Sequence, residues 1–355
     1  MRALAVTPEI QEALAAQAIV AFGISGGKDS AAMTLDLMDY LDGIGHPREL
    51  RVGVHADLGV IEWPQTDEWV HRLADHVDIP LHITRRNKGD MLDRWEQRWA
   101  DNVRRYENME CLTLVTPWSS AMWRFCTSEL KVGPICSTLK SLFPGKTILN
   151  CVGIRGQEST GRAKQPVSKP MSNLEVKTKG THGISWHPIL NYDIQDVWDS
   201  HEEHGFPRHP AYDIGSERLS CSLCVLATQR DHLAAMRCEE NHPAMHRITA
   251  LEIESTFSFQ PTRWISDTCY DYISTKEVMK LPLAKEAAAT RRELEAKIPK
   301  DLRMIKGVPT KLPTISEAYT IASTRDTISK ITNLSCRYTT GDSVLQRYKD
   351  LMAKA

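Results

Sequence analysis

The chain has 355 residues, 41% hydrophobic and 25% charged, which is an ordinary composition for a globular protein. Its 44 basic and 45 acidic side chains give a formal net charge of −1, so nucleic acid cannot be bound through bulk charge alone. No apolar run approaches the roughly 20 residues that a membrane span needs. The first ten residues also lack the apolar stretch of a secretory signal, and we therefore expect a cytoplasmic protein without a membrane partner.

Strand-like and helix-like segments alternate in the first half of the chain. Short apolar runs predict strands at residues 18–23, 51–56, 81–84 and 147–154. Helical spacing of apolar residues predicts helices at residues 29–41, 65–77, 91–99 and 130–142. This alternation predicts an α/β fold, with a parallel twisted sheet and helices on both of its faces.

The second half of the chain has a different character. Residues 155–183 are polar and basic and predict a long loop, which is then followed by a helix at residues 193–204. Residues 208–218 are also read as a loop, and residues 284–297 have the composition of a strong helix. We expect an α/β domain at residues 1–215 and a cysteine-containing, mostly helical C-terminal region at residues 216–355.

Residues 25–30, Ser-Gly-Gly-Lys-Asp-Ser, lie between the first predicted strand and the first predicted helix. The two glycines let the backbone approach an anion closely, and the helix that follows presents unpaired N–H groups and the positive end of its dipole. The two serines add hydroxyl donors, and Lys28 adds a positive charge. The segment is neither a Walker A sequence nor a dinucleotide-binding glycine motif. It predicts a phosphate-binding loop, with a plain glycine turn as the alternative.

The nine cysteines are odd in number and too few for a disulfide scaffold. Only Cys221 and Cys224 form a Cys-x-x-Cys pair. In a reducing compartment such a pair binds a metal or a cluster, or acts as a redox dithiol. About half of the nine are expected to be buried apolar groups.

Residues 25–30 resemble the PP-loop of the ATP pyrophosphatase superfamily, whose members cleave ATP between its α and β phosphates. Further blocks resemble the phosphoadenosine-phosphosulfate (PAPS) reductase family within it, which includes PAPS reductases and the sulfur-inserting DndC protein of DNA phosphorothioation. These blocks run in family order at residues 55–66, 123–134, 153–162, 186–198 and 209–215. The resemblance covers about residues 18–226 and implies the adenine nucleotide alpha-hydrolase-like fold.

The resemblance also implies that the chain binds ATP, or PAPS, together with Mg²⁺. The matching positions give the implied nucleotide-binding residues as Ser25, Gly26, Gly27, Lys28, Asp29, Ser30, Asp57, Gly153, Arg155, Glu158, Ser159 and Arg162. The implied catalytic residues among them are Lys28, Asp29, Asp57 and Arg155. Asp29 is expected either to cap the helix or to bind Mg²⁺, and Asp57 either to lie near the adenosine or to carry Mg²⁺. Arg162 has the alternative of being a solvated loop charge.

A cysteine-bound cluster is implied by the iron–sulfur members of the family. Cys126, Cys221 and Cys224 match their ligands, and a [4Fe–4S] cluster needs a fourth, for which Cys238 is preferred over Cys136 or an open iron. The alternatives are a Zn²⁺ site and a redox dithiol. For zinc, a histidine would be the fourth ligand, and the candidates are His232, His242 and His246.

The resemblance leaves three functions open. The preferred one is DndC-like: ATP activation with release of pyrophosphate, then iron–sulfur-dependent sulfur transfer to DNA or RNA, with a cysteine desulfurase as sulfur donor. Basic stretches at residues 85–88, 94–105 and 155–179 offer surfaces for a nucleic-acid strand, although each is also typical of a solvated face. The second is reduction of PAPS or APS to sulfite, but Cys336 does not lie in the Glu-Cys-Gly-x-His motif that carries the reductase nucleophile. The third is a nucleotide-binding module without turnover.

Overall fold

Six strands form one sheet, in the order β3-β2-β1-β4-β6-β5. The computed structural model describes residues 2–353, and the strands are β1 Ile19–Gly23, β2 Arg51–Asp57, β3 Leu81–Arg85, β4 Thr147–Val152, β5 Ser168–Pro170 and β6 His182–Trp186. All neighbours are parallel except β5, which runs antiparallel to β6. In the centre, Ala21 is in register with Val52 on one side and Asn150 on the other. The predicted α/β fold with a parallel sheet is confirmed.

Alternate residues of β1 enter two separate apolar clusters. Val20 and Phe22 pack on one face with the helices that follow β1 and β2, whereas Ile19 and Ala21 pack on the other face. Because successive strand residues point to opposite faces, both sides of the sheet are covered. The helices of this part of the chain are α1 Pro8–Ala15, α2 Lys28–Gly43, α3 Thr66–His76, Gly133–Leu142, Ile194–Glu203 and Gln229–Ala235.

The predicted long loop at residues 155–183 is only partly a loop. It contains β5 and the first two residues of β6. Strand β6 has the sequence His-Gly-Ile-Ser-Trp, which is too short and too mixed for its apolar pattern to predict a strand. Gly183 is required in it, since a Cβ there would lie 2.2 Å from the side chain of Leu174.

The chain folds as two compact units. One contains residues 2–91 and 121–241, with the whole sheet, and the other contains residues 92–120 and 242–353. The second unit is helical, as predicted for the C-terminal region, with helices α4 Met91–Glu107, which starts at the boundary, His242–Ser255, Thr275–Ala296, Ile315–Thr332 and Gly341–Met352. The expected domain boundary at residues 215 and 216 stays a prediction. In the part of the chain described, no helix has both the length and the apolar character needed to cross a membrane.

The order of the strands determines where loops meet. After β1 the chain adds β2 and β3 on one side of β1, and then returns to place β4 on its other side. Loops that leave the carboxyl ends of β1 and β4 therefore face each other, and such a switch point is where open α/β sheets bind ligands. Gly153 follows β4 and makes the approach close, because a Cβ at this position would lie 2.6 Å from the carbonyl oxygen of Asp29.

Candidate functional site

The phosphate loop, residues 25–30, is held by its own serines. The backbone N–H of Ser25 donates to Oγ of Ser30 at 3.2 Å, and that hydroxyl donates to the carbonyl oxygen of Gly27 at 2.9 Å. Gly26 has a φ of +74°, in the left-handed region that favours glycine. Helix α2 begins at Lys28 with Gly27 as its N-cap, and Gly27 has no side chain with which to cap the helix. The loop thus presents a preformed helix N-terminus, whose N–H groups and dipole favour an anion.

Asp29 does not cap α2. Its carboxylate receives a hydrogen bond from Nε of Arg155 at 2.5 Å and lies 3.3 Å from Nζ of Lys28. Arg155 is only 5% exposed, and its Nη1 donates to Gln157 at 2.7 Å. Residues predicted separately after β1 and β4 therefore meet in one ion-pair network. The arrangement places a guanidinium and an ammonium at the mouth of the phosphate loop.

Further arginines surround this network. Arg162 contacts the carboxylate of Glu158, so it is held by a partner rather than being a free loop charge. Burial lowers the pKa of Arg162, and the neighbouring positive charges of Arg218, Arg124 and Arg155 lower that pKa further, whereas Asp29 opposes the shift. Like charges held together in this way favour binding of an anion, which relieves their repulsion.

Arg124 and Arg218 were not predicted as site residues. Both are exposed side chains of the first unit. Arg124 lies two residues before Cys126, and Arg218 lies three residues before Cys221. Their position next to the cysteine motifs is the feature of the sequence that could have identified them as site residues. Together with Lys28, Arg155 and Arg162 they form what we call the cationic cluster.

Glu158 and Ser159 support the loop after β4. Oε2 of Glu158 accepts the backbone N–H of Arg155 at 3.2 Å in addition to its contact with Arg162. Ser159 caps a short helix, Thr160–Ala163, by accepting the backbone N–H of Arg162 at 3.2 Å. The two predicted binding residues thus fix the positions of the arginines that carry the charge.

Asp57 opens onto a different space from the phosphate loop. It lies at the end of β2, where Oδ1 accepts the N–H of Gly59 at 2.6 Å and Oδ2 pairs with Nε of Arg85 at 2.5 Å. A cleft of about 650 Å³ lies here, lined by these residues and also by Glu62 and Trp63. Its size fits a nucleoside or a similarly sized group.

Three of the predicted cluster cysteines surround Lys131. Burial lowers the pKa of the Lys131 ammonium, but negative charge at Cys221, Glu62, Cys224 and Cys126 outweighs this effect and raises that pKa. Burial also raises the pKa of the Cys221 thiol, while Lys131 lowers it. The structure therefore brings Cys126, Cys221 and Cys224 to one place around a cation that the sequence had marked only as part of a resembling segment.

The other ligand candidates have different partners. Cys238 is hydrogen-bonded to Gln65, and Cys136 is buried in the apolar cluster on one face of the sheet. The ring of His232 contacts the carbonyl oxygen of Cys224 at 2.9 Å, and His246 pairs with Glu277 in the second unit. Within residues 2–353, no group of three or more His, Cys, Asp or Glu side chains is arranged to hold a metal ion.

Residues 221–224, which we call the cysteine loop, are attached to the wall of the cleft. The backbone N–H of Ser222 donates to the carbonyl oxygen of Ile61 at 2.8 Å, and its hydroxyl donates to the same oxygen at 2.9 Å. The next residue, Glu62, lines the cleft and lies 3.2 Å from Nε2 of His55. Since His55 also contacts the carbonyl oxygen of Ile24 at 2.8 Å, residues 61–62 connect the cleft, the cysteine loop and the end of β1.

Comparison with known proteins gives one family. The profile of the phosphoadenosine phosphosulfate reductase domain matches residues 19–227, more than half of the chain. An uncharacterised 37.8 kDa protein of Escherichia phage 186 is 27% identical over 237 residues, which are 59% of this chain and 67% of the phage protein. An uncharacterised protein of Methanocaldococcus jannaschii is 26% identical over 221 residues, 62% of this chain but only 44% of that protein. The chain thus spans less than half of the archaeal relative.

Among solved structures, the phosphate complex of phosphoadenylyl-sulfate (PAPS) reductase from Candida auris is similar to this chain. The two share 16% sequence identity, with a TM-score of 0.38. The match covers 62% of this chain and 98% of the other.

Proposed function

The chain belongs to the phosphoadenosine phosphosulfate reductase domain family, and from this premise we propose that it activates an acceptor with ATP and supports sulfur transfer to a nucleic acid. The family supports nucleotide binding by a PP-loop. The single observation that carries the proposal is that the phosphate loop lies next to the segment leading into the cysteines: the side chain of Leu219, two residues before Cys221, packs beside Gly26 and Gly27.

The phosphate loop and the cationic cluster would hold the nucleotide phosphates. Five cations (Lys28, Arg124, Arg155, Arg162 and Arg218) face two carboxylates (Asp29 and Glu158), so an anionic ligand would be strongly favoured. The cleft beside Asp57 would take the nucleoside or the acceptor, since it lies at the same carboxyl edge of the sheet. Asp29 and Asp57 are the carboxylates available to Mg²⁺.

Activation would join AMP to an oxygen of the acceptor phosphate and release pyrophosphate. Lys28 and Arg155 would meet the negative charge that develops on the departing pyrophosphate. The persulfide of an external donor, for which a cysteine desulfurase is the proposed source, would then attack phosphorus and displace AMP. A dithiol reductant would supply the two electrons that cleave the remaining S–S bond and leave the sulfur on the acceptor. The acceptor proposed is DNA or RNA, whose phosphates Arg124 and Arg218 would contact at the exposed rim of the site.

Cys126, Cys221 and Cys224 would be ligands of an iron–sulfur cluster. All three thiols lie within electrostatic range of Lys131, and a [4Fe–4S] cluster binds thiolates at separate irons. The cluster, when bound, would supply the redox or sulfur chemistry of the transfer. Lys131 would balance the negative charge of the thiolates, and Glu62 would orient Lys131 from the side of the cleft.

Reduction of PAPS to sulfite is the second candidate. The family profile that matches residues 19–227 favours it, because the domain takes its name from that reaction. A PAPS molecule would use the same phosphate loop and cationic cluster. The two candidates differ in the bond that is broken and therefore in the product.

Product analysis tests the proposal. The anaerobically purified protein is incubated with Mg-ATP, with and without DNA, and pyrophosphate is measured; a parallel reaction contains PAPS and reduced thioredoxin, and sulfite is measured. We expect pyrophosphate release that DNA stimulates, its loss in Lys28→Ala, and its retention in Lys349→Ala, which changes an exposed lysine of the second unit. Sulfite formation without DNA-dependent pyrophosphate would instead establish the reductase candidate. If neither pyrophosphate nor sulfite forms, both candidate functions are overturned.

A further inference from the structure

Tyr212 lies between the phosphate loop and the cysteine loop. It ends a short helical turn, Pro210–Tyr212, and its hydroxyl accepts the backbone N–H of Lys28 at 3.2 Å. The backbone of Leu219, two residues before Cys221, lies close enough to this hydroxyl to lower the pKa of Tyr212. One side-chain oxygen therefore joins the first residue of α2 to the segment that leads into the cysteines.

Leu219 makes a second contact with the same loop. A Cβ built at Gly26 or Gly27 would lie 3.5 or 3.6 Å from atoms of the Leu219 side chain, which is ordinary van der Waals distance. Leu219 thus covers the two glycines that would face a phosphate. A movement of the phosphate loop would therefore displace the Leu219 side chain.

The ring of Tyr212 is fixed independently of its hydroxyl. Nζ of Lys28 lies 5.4 Å from the ring centroid, within the range of a cation–π contact. The edge of Trp198 packs on the other side, with 5.7 Å between ring centroids. A phenylalanine in place of Tyr212 would retain these contacts and lose only the hydroxyl.

The N–H of Lys28 is one of the donors that a phosphate would use at the start of α2. We propose that a nucleotide phosphate takes this N–H from the Tyr212 hydroxyl, and that Tyr212 thereby transmits occupancy of the phosphate loop to Leu219 and the Cys221–Cys224 segment. The inference rests on nucleotide binding by the proposed function. Tyr212 acts as a positioning residue, because it touches the loop and not the reacting atoms.

The Tyr212 hydroxyl oxygen determines whether nucleotide binding increases or decreases the protection of the Leu219 N–H. In the structure it accepts the Lys28 N–H and has the Leu219 backbone beside it, and after a phosphate has taken the Lys28 N–H it would be free to bond with Leu219 alone. The Leu219 N–H would then be better protected from solvent. By linkage, ordering of the cysteine loop would strengthen nucleotide binding by the same factor.

Hydrogen–deuterium exchange measures this coupling directly. The peptide that contains the Leu219 amide is followed in the purified full-length protein, with and without saturating Mg-ATP, and binding of Mg-ATP is measured separately by calorimetry. We expect exchange of that amide to slow about fivefold, the effect of roughly one neutral hydrogen bond. In Tyr212→Phe we expect Mg-ATP to bind without changing the exchange.

Tyr192→Phe is the matched control. Tyr192 is buried in the same unit and donates to Asp36 at 2.7 Å, so this variant also loses a hydroxyl hydrogen bond but should keep the response. Leu219→Ala is a second variant and should weaken the response while leaving Tyr212 in place. A response equal in wild type and Tyr212→Phe, or binding without any response in wild type, would overturn the coupling alone. Failure of wild type to bind Mg-ATP would overturn the proposed function as well.

Discussion

Nε of Arg155 lies 2.5 Å from Oδ1 of Asp29, although the two residues are 126 positions apart in the chain. The contact exists because β1 and β4 are neighbours in the sheet, so that the residues after each strand meet at its carboxyl edge. It holds a buried guanidinium against the phosphate loop. The position of the main anion-binding charge is thus determined by the strand order.

Arg155→Lys is expected to weaken binding of Mg-ATP about tenfold, since a bidentate site is lost. The guanidinium donates to Asp29 and Gln157 at the same time, and an ammonium at the end of a flexible chain cannot reproduce both contacts. Calorimetric titration checks this. Arg48→Lys is the control, because Arg48 is exposed and pairs with Asp42 in a surface contact. Equal affinities in wild type and Arg155→Lys would contradict the assigned role.

Gly153→Ala is expected to destabilise the protein by about 2 kcal/mol and to reduce nucleotide binding. The new Cβ would lie 2.6 Å from the carbonyl oxygen of Asp29 and 2.8 Å from Cα of Ser30, and backbone atoms cannot move aside as a flexible side chain can. Urea unfolding and Mg-ATP titration measure the two effects. In Gly161→Ala a Cβ meets nothing within 4 Å, so that variant should match wild type. If Gly153→Ala has the same stability and Mg-ATP affinity as wild type, the loop after β4 can shift freely and the expected effect is wrong.

Apolar runs predicted the first four strands because the pattern of each is local: β1, β2 and β4 are mostly buried, and β3 is a half-buried edge strand. Strands β5 and β6 were missed, since β5 is the three-residue segment Ser-Lys-Pro at the sheet edge and β6 contains Gly and Ser. The assignment of residues 92–120 to the second unit was also missed. It depends on contacts with residues far along the chain, which no local pattern reports.

The candidate site was expected from the sequence in two ways. Residues 25–30 were identified from their glycines, their lysine and their position between a strand and a helix, whereas Gly153, Arg155 and Cys126 came from the family resemblance. The roles of Lys131, Arg218 and Tyr212 depend on what lies opposite them in the fold, and each is an ordinary residue in its own segment. The fourth cluster ligand stays a prediction, since Cys238 contacts Gln65 and Cys136 is part of the core.

Cys221→Ser is expected to remove iron and sulfide and to bleach absorption near about 400 nm in anaerobically purified protein. Serine cannot replace a thiolate as a soft ligand. Metal and sulfide analysis with an absorption spectrum measures the effect. Cys336→Ser, in the second unit, should keep the colour and the metal content. A colourless wild-type protein that contains zinc would contradict the cluster and favour the zinc alternative.

Glu252 is fully buried in the second unit, where its carboxyl accepts hydrogen bonds from backbone N–H groups. Its Oε1 accepts the backbone N–H groups of Phe259 at 2.6 Å and Ile265 at 2.8 Å. Burial raises the pKa of this carboxyl from 4.5 to about 7, although the backbone donors oppose the shift. The folded state therefore favours the protonated acid, whereas the unfolded chain ionises near the ordinary value.

The contribution of Glu252 to the free energy of unfolding should thus be fully present below pH 4.5. It should decline by on the order of 3 kcal/mol as the pH rises to about 7. Glu252→Gln keeps an uncharged group of the same shape, and the free energy of unfolding should then change less over this range. Urea unfolding at pH 5 and pH 8 measures the difference, which should favour the variant at pH 8. Glu254→Gln is the control, because Glu254 is exposed and can still accept from Nε1 of Trp99 as glutamine. If wild type and Glu252→Gln have the same pH dependence, the carboxyl does not titrate as its burial implies, and its backbone hydrogen bonds must stabilise the charged form sufficiently to offset desolvation.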